Sequence, residues 1–181
     1  INSITMDIDF IVSGAGLPLD LPEYIKDSKV KGAFIVSSAR AAKILLKSWD
    51  RRYHYMPEFV VCEGPLAGGH LGFSKEDMES GNVLSLEDIV KETKEIVKIY
   101  EEKYGITIPI IAGGGVHDGK DMAKMINVGA DGVQISTRFI ASHECDASLE
   151  YKMMIVNSKE SDIVRVSSPA GLPGRAVKNY L

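Results

Sequence analysis

Short apolar runs alternate with amphipathic segments along most of this chain, and this alternation restricts the folds it can adopt. Runs rich in β-branched residues predict five strands, at residues 9–13, 32–37, 59–62, 108–112 and 132–135. Helical spacing of apolar residues predicts helices at residues 21–27, 39–48, 86–104 and 121–128. Strands that are apolar along their whole length need cover on both faces, as in a parallel sheet with right-handed crossovers. The chain is therefore predicted to be an α/β protein.

The number of predicted strands favours part of a barrel. A complete (β/α)8 barrel typically has about 250 residues, whereas this chain has 181. We expect that residues 1–181 are a fragment that lacks about three βα units of a TIM barrel, or that these units belong to a separate or cleaved polypeptide. The connection after the third predicted strand, residues 64–85, is much longer than the others. Loops at the carboxyl ends of barrel strands carry active sites, so this connection is a candidate active-site loop.

Composition excludes several classes of protein and partner. An apolar fraction of 45% and a charged fraction of 25% are typical of globular proteins. The formal net charge of -4 provides no field that would attract nucleic acid. Cys62 and Cys145 form no C-x-x-C pair, so neither a disulfide framework nor a metal site is predicted. No apolar run reaches the roughly 20 residues of a membrane span. We expect a cytoplasmic protein that binds a small molecule, and neither nucleic acid nor a membrane.

Small polar residues follow the last two predicted strands. Gly113, Gly114 and Gly115 follow one of them, and Ser136 and Thr137 follow the next. Bare backbone N–H groups and hydroxyls at neighbouring strand ends are suited to a phosphate, and a helix start is predicted shortly after the glycines. The alternative is a tight turn that needs glycine for its conformation alone. Three consecutive glycines together with a Ser-Thr pair favour ligand binding.

The long loop carries His70 directly after two glycines. A neutral imidazole over the mouth of a barrel could take a proton from a carbon acid or hydrogen-bond a substrate oxygen. The alternative is a histidine that only packs or caps. His117 is interpreted as a turn or cap residue, and His54 is expected in a surface loop. Arg138 is interpreted either as a phosphate ligand or as the partner of a carboxylate such as Glu144.

Four motifs, in the same order, resemble those of the nitronate monooxygenase (2-nitropropane dioxygenase) family. They are EGPLAGGHLG at residues 63–72, IIAGGGVHDG at residues 110–119, GADGVQISTRF at residues 129–139 and SPAGLPGRA at residues 168–176. The resemblance implies that the chain is the C-terminal portion of a single FMN-binding TIM-barrel domain. It also implies that Leu66 stands where many relatives have a glutamate.

The resemblance further implies roles for individual residues. It implies that the FMN phosphate is held at the ends of the last two strands, by Gly113, Gly114, Gly115, Gln134, Ser136 and Thr137. Gly68 and Gly69 are implied to lie near the flavin, and His70 to be the catalytic residue beside the flavin ring. In the family, the N-terminal strands of the barrel provide further flavin contacts. The resemblance implies that these strands are absent from this chain.

The leading hypothesis is an FMN-dependent oxidoreductase that oxidises alkyl nitronates with oxygen. An FMN-dependent enoyl-acyl-carrier-protein reductase that uses NAD(P)H is the alternative, since the fold and motifs resemble that group as well. A hypothesis of another class is a non-flavin phosphate-binding barrel, such as a lyase or isomerase. The chain alone could also be inactive, because an open segment of a barrel exposes strand edges. Homo-oligomerisation or association with the missing N-terminal part would then complete it.

Overall fold

A five-stranded parallel sheet forms the centre of the computed structural model, which describes residues 8–167 and 173–179. Within these residues the strands are β1 (Phe10–Ser13), β2 (Lys31–Val36), β3 (Val60–Glu63), β4 (Gly69–His70), β5 (Ile110–Gly113), β6 (Gly132–Gln134), β7 (Ile163–Ser167) and β8 (Pro173–Val177). The central sheet has the order β1-β2-β3-β5-β6. Its strands are therefore added in one direction as the chain proceeds, which is typical of a barrel wall and not of a doubly wound sheet.

Helices connect these strands and cover one face of the sheet. They are α1 (Leu21–Ile25), α2 (Ala39–Tyr53), α3 (Lys75–Ser80), α4 (Leu86–Tyr104), α5 (Gly119–Asn127), α6 (Thr137–Ile140) and α7 (Leu149–Asn157), with a 3₁₀ turn at Glu160–Asp162. The predicted bounds of α4 are confirmed, because Ser85 Oγ accepts a hydrogen bond from the Asp88 N–H at 3.2 Å and so fixes its start. None of the described helices is long and apolar enough to cross a membrane.

Helix α2 extends beyond its predicted end at residue 48. Trp49 is buried in the core, and Arg51 and Arg52 occupy the last turn, where positive side chains interact favourably with the helix dipole. His54 is exposed, as expected, and lies directly after the helix in the left-handed conformation, with φ of 50°. Its backbone N–H donates to the Asp50 carbonyl at 3.1 Å. Arg51, Arg52 and Tyr53 thus belong to the helix, beyond its predicted end.

A second, antiparallel sheet of order β4-β8-β7 was not predicted. Strand β4 has only two residues and no local pattern that would indicate it. Strands β7 and β8 form a hairpin in which Val164 pairs with Ala176 and Val166 with Gly174. Helices α3, α6 and α7 were also missed, as α3 and α6 are short and α7 is apolar on most sides.

The core lies between the central sheet and helices α2 and α4. Trp49 is fully buried and meets Phe34 edge to face, with ring centroids 5.1 Å apart. Its indole N–H donates to the Pro18 carbonyl at 2.9 Å, so the polar atom is satisfied. The remaining fully buried members of this core are Ala42, Leu45, Leu46, Val60, Cys62, Ile89, Val90, Val97, Ile108, Ile110 and Ala112. This packing fixes the strands whose ends form the site described below.

The opposite face of the central sheet is largely uncovered in the described part of the chain. Phe10 and Val12 are 47% and 46% exposed, although both are large and apolar. An open cavity of about 590 Å³ lies on this side, and it is lined by Val12, Phe59, Val61, Ile111, Val133, Gln134, Ile135 and Phe139. Parallel sheets are normally covered on both faces. This face therefore corresponds to the interior side of a barrel wall.

Replacing Thr93 by valine is expected to stabilise the protein. Thr93 on α4 is fully buried, and its hydroxyl has no hydrogen-bond partner of ordinary geometry among the described residues. The group that interacts with it is the Cys62 thiol, a weak hydrogen-bond acceptor. Valine keeps the shape and removes the desolvated hydroxyl, so the free energy of unfolding should rise by about 1 kcal/mol. Urea denaturation measures the change.

The matched control is Thr93→Ser, which keeps the hydroxyl and removes the methyl group. It should lower the free energy of unfolding by about 1 kcal/mol through lost packing. A Thr93→Val variant less stable than Thr93→Ser would contradict this prediction, because it would show that the Thr93 hydroxyl has a hydrogen-bond partner in solution.

Candidate functional site

One row of residues crosses the carboxyl ends of β3, β5 and β6. Glu63 pairs with Gly113, and Gly113 pairs with Gln134, in the parallel register. Cys62 and Ala112, one residue earlier, point into the helix-covered core, so this strand-end row faces the uncovered side of the sheet. A Cβ at Gly113 would lie 3.3 Å from Gln134 Cβ. The Gln134 side chain therefore packs directly against Gly113, which has little room for a side chain of its own.

The turn after β5 has a backbone that requires glycine. Gly114 and Gly115 have φ of 89° and 104°, in the region that L side chains rarely adopt. A Cβ at Gly114 would lie 2.9 Å from the backbone nitrogen of Ala67, and one at Gly115 would lie 3.2 Å from Leu66 Cβ. The loop after β3 thus rests directly on this turn. Both glycines are needed for the backbone geometry, whatever else the turn binds.

Several backbone donors at these strand ends are unused within the described part of the chain. The N–H groups of Gly114, Gly115, Ser136 and Thr137 donate to no described backbone or side-chain acceptor. The Ser136 side chain makes no capping hydrogen bond to α6, and both Ser136 and Thr137 are exposed. Because backbone N–H groups are nearly always satisfied by protein, water or ligand, this cluster is available to an anion.

The start of α5 does not contribute to this cluster of donors. Asp118 accepts hydrogen bonds from the N–H groups of Lys120 at 2.8 Å and Asp121 at 3.0 Å. The Asp121 carboxylate in turn accepts from the N–H of His117 at 2.9 Å. The hydrogen bond from the Asp121 N–H, and to a smaller extent that from the Lys120 N–H, lowers the pKa of the Asp118 carboxyl group. The helix begins at Gly119, directly after the glycines as predicted, but carboxylates of Asp118 and Asp121 already satisfy the N–H groups of Lys120 and Asp121 and of His117 and Asp118.

The loop that carries His70 is anchored on the carboxyl ends of three strands. Gly64 N–H donates to the Gly113 carbonyl at 2.9 Å, and Ala67 packs on Gly114. Beyond the histidine, a Cβ at Gly72 would lie 2.5 Å from Ser37 Oγ, just after β2. The loop therefore spans the ends of β2, β3 and β5.

The β7–β8 hairpin holds the same loop from the other side. His70 pairs with Gly174 in an antiparallel ladder, and Leu71 N–H donates to the Pro173 carbonyl at 2.8 Å. Arg175 Nη1 lies 3.5 Å from the Ala67 carbonyl. Leu71 is buried beside Ala67 and Met78, whereas the His70 side chain is exposed. The backbone of His70 is thus held by a ladder directly after Gly69, whose φ of 76° is in the left-handed region.

Glu63 is a site residue to which the sequence assigned no role. It is half-buried at the end of β3, and burial raises the pKa of its carboxyl above the ordinary range. No described residue forms an ion pair or hydrogen bond with this carboxyl group. One feature of the sequence could have indicated this residue. It is an acidic residue directly after three buried apolar residues, at the carboxyl end of a strand, where the active sites of barrels lie.

The family model of nitronate monooxygenase matches residues 3–181. This chain belongs to the nitronate monooxygenase family. The resemblance seen in the four motifs is thereby confirmed. Among curated proteins, the probable nitronate monooxygenase of Staphylococcus saprophyticus is 33% identical over 122 residues, which cover 67% of this chain and 32% of the relative. That of Staphylococcus aureus is 33% identical over 120 residues, which cover 66% of this chain and 31% of the relative.

Solved structures confirm the barrel fold. FabK from Thermotoga maritima matches 96% of this chain and 48% of its own, with a TM-score of 0.74 and 28% identity. Nitroalkane oxidase from Streptomyces ansochromogenes matches 97% of this chain and 47% of its own, with a TM-score of 0.75 and 20% identity. The central sheet is part of a TIM barrel, and the chain spans about half the length of these structures and about a third of the curated relatives.

The residues that the nitronate monooxygenase motifs single out lie on neighbouring strand ends. Gly113, Gly114 and Gly115 adjoin Gln134, which is followed by Ser136 and Thr137, while Gly68, Gly69 and His70 lie in the anchored loop. Their roles in binding and catalysis stay predictions. Residues 168–172 of the fourth motif lie outside the described residues, and 173–176 lie in β8.

Two other polar residues are less suited to a role in the reaction. Burial raises the pKa of the Cys62 thiol to about 11, so this cysteine is a poor nucleophile. Arg138 is exposed on α6 and forms no ion pair with Glu144, for which Ser142 and Lys152 are the side-chain partners. Arg138 instead lies close enough to Asp118 for its charge to lower the pKa of that carboxyl group, so both interpretations of Arg138, as a phosphate ligand and as the partner of a carboxylate, stay predictions.

Proposed function

We propose that this chain provides the phosphate-binding side and the catalytic histidine of an FMN-dependent nitronate monooxygenase, which oxidises alkyl nitronates with oxygen. The observation that supports this most is the cluster of unused N–H donors at Gly114, Gly115, Ser136 and Thr137, next to the loop of His70. Membership of the nitronate monooxygenase family indicates which phosphate ligand belongs there.

The residues present fit FMN. Backbone donors and two hydroxyls are suited to its phosphate, and Arg138 adds a positive charge nearby. The open cavity on the uncovered face leaves room beside Gln134 for the part of the ligand that follows the phosphate. When bound, FMN supplies a two-electron acceptor that oxygen can reoxidise.

His70 supplies the protein's own chemistry in this proposal. Its side chain is exposed, while its backbone is fixed between Gly69 and the buried Leu71. A nitronate has already lost its carbon proton, so an imidazolium there would hydrogen-bond its oxygens, whereas a neutral imidazole would take the carbon proton only of a neutral nitroalkane. A fixed backbone orients the ring without immobilising a flexible loop in each turnover.

The uncovered sheet face bears on the domain organisation. Phe10 and Val12 are exposed and the cavity beside them is apolar, so the sheet requires cover to be stable in water. The chain is the C-terminal portion of a single barrel domain in this proposal, and the strands that precede it in the family provide the cover and further flavin contacts.

A second candidate function is an FMN-dependent enoyl-acyl-carrier-protein reductase. It is favoured by the higher identity to FabK, 28%, than to the nitroalkane oxidase structure, 20%. An enoyl reductase domain of MlnA from Bacillus amyloliquefaciens has the same fold, with a TM-score of 0.63 and 16% identity. His70 and the phosphate donors would serve this reaction equally well.

The experiment uses full-length protein titrated with FMN and followed by quenching of flavin fluorescence. We expect saturable binding, followed by oxygen uptake with ethylnitronate or propionate 3-nitronate. NAD(P)H consumption with a crotonyl thioester, in place of oxygen uptake with nitronates, would transfer the assignment to the enoyl reductase. Failure to bind FMN would overturn both and favour the non-flavin barrel.

A further inference from the structure

Two arginines of the β7–β8 hairpin reach the loop that carries His70, one on each side of the histidine. Arg165 Nη1 donates to the Met78 carbonyl at 2.6 Å, and Arg175 Nη1 lies 3.5 Å from the Ala67 carbonyl. Ala67 precedes His70 in the chain and Met78 follows it, and both are buried in the same small apolar cluster. The arginines therefore hold both ends of the segment that carries the imidazole.

The Met78 carbonyl needs a hydrogen-bond donor from outside its own helix. Met78 lies in the last turn of α3, where carbonyl groups have no partner within the helix. The N–H of Asn82, which is in sequence reach, donates to the Asp77 carbonyl at 3.1 Å instead. Met78 is buried, so leaving its carbonyl without a partner would be costly. Arg165 supplies the donor, and its charge makes the hydrogen bond stronger than a neutral one.

The hairpin by itself does not favour arginine at these two positions. Arg165 and Arg175 are directly opposite each other in the antiparallel pairing of β7 with β8. Like charges on directly opposite residues weaken such a pairing. The carbonyl groups that the two side chains reach, and not the strand pairing, therefore account for this pair of arginines.

The arginines and the imidazole lie on opposite faces of the second sheet. Arg175 pairs with Gly69, whereas Gly174 pairs with His70. Because successive residues of a strand point to opposite faces, the side chains of Arg165 and Arg175 point away from the face that carries the imidazole. Their influence on a reaction at His70 therefore passes through the backbone of the loop.

We propose that Arg165 is a positioning residue for His70, whose hydrogen bond to the Met78 carbonyl holds α3 and the loop before it against the hairpin. This inference rests on the proposed function, because it takes His70 as the catalytic residue. Arg165 makes the shorter of the two arginine contacts, and it lies outside the four motifs that resemble the family. Placement of this kind matters for the rate, since a displacement of about 1 Å at a catalytic group lowers it by up to about a hundredfold.

The test is a double-mutant cycle in full-length protein, with Arg165→Met and His70→Ala made separately and together. The assay uses whichever substrate the wild type accepts, ethylnitronate or a crotonyl thioester. Arg165→Met alone is expected to lower kcat/KM about ten- to a hundredfold, while the Kd for FMN stays within a few-fold of wild type. In the His70→Ala background the same substitution should change kcat/KM by no more than about twofold, because no imidazole is left to position.

Two further variants serve as controls. Lysine keeps a charged donor, so Arg165→Lys should recover most of the rate that Arg165→Met loses. Lys178 is exposed directly after β8, and Lys178→Met removes one positive charge from the same hairpin. This variant should keep kcat/KM within about twofold of wild type. Circular dichroism verifies that each variant has folded.

An equal loss of rate from Arg165→Met with and without His70 would overturn this inference, because the arginine would then support the fold in general. An unchanged rate in folded Arg165→Met, or a loss of FMN together with the rate, would overturn it as well. These results leave the proposed function standing, whereas a wild-type rate in His70→Ala would overturn the catalytic role on which it depends. Should Arg165→Met fail to fold, Arg165→Gln takes its place in the same cycle, and its loss of rate must likewise disappear in the His70→Ala background.

Discussion

Replacing Gly114 by valine is expected to reduce the affinity of full-length protein for FMN by at least about a hundredfold. The φ of 89° at this position is strongly disfavoured for a β-branched side chain. The new Cβ would also lie 2.9 Å from both the backbone nitrogen and the Cβ of Ala67. The turn and the loop above it must separate, which reorients the N–H groups of Gly114 and Gly115 that the phosphate requires. Flavin fluorescence quenching measures the loss.

Gly119→Val is the matched control for this prediction. Gly119 begins α5, its φ lies outside the left-handed region, and a Cβ there would meet nothing within 4 Å. This variant should bind FMN within a few-fold of wild type. The circular dichroism of both variants establishes that the barrel has folded. Near-normal binding by a folded Gly114→Val would show that the phosphate does not use this turn.

Replacing His70 by alanine is expected to lower kcat/KM by about 10²- to 10⁴-fold while flavin affinity stays within a few-fold of wild type. The side chain is exposed, and the backbone is held by its pairing with Gly174 and by the buried Leu71. Removing the imidazole should therefore leave the loop in place. Steady-state assays with ethylnitronate and with a crotonyl thioester measure the loss for either candidate reaction, and added imidazole should restore part of the rate.

The exposed His143 offers the comparison for this second prediction, because it follows α6 and is not part of the anchored loop. His143→Ala should retain turnover within a few-fold of wild type. If His70→Ala turned over at the same rate as His143→Ala, the imidazole would have no part in the reaction. If it instead lost FMN, His70 would belong to the binding site and its catalytic assignment would be wrong.

The sequence predicted those features of the fold that have a local cause. Helix α4 has its predicted bounds because apolar periodicity and the Ser85 cap agree. All five strands of the parallel sheet were predicted, since each is a short apolar run between glycine or polar residues. Strand β4 could not be predicted, because its two residues become a strand only by pairing with β8.

The same distinction applies to the site. The glycine run was predicted as a strand-end turn, but its contact with Ala67 depends on how two loops pack. The acids at the start of α5 competed with the expected phosphate, which a helix-start signal alone does not reveal. Glu63 went unassigned because its lack of a partner is a property of three neighbouring strands, not of its own segment.

The pairing between the His70 loop and the β7–β8 hairpin has a consequence for biosynthesis. Arg175 and the Ala67 carbonyl that it approaches are 108 residues apart in the chain. Contacts between segments so far apart in the chain form late in folding, because the entropic cost of closing the loop between them comes before the contacts are gained. On a ribosome the donor turn at Gly114 can form while the hairpin is still being synthesised. The loop of His70 acquires its final conformation only after residues 173–177 have emerged, so this part of the proposed site is the last to be completed.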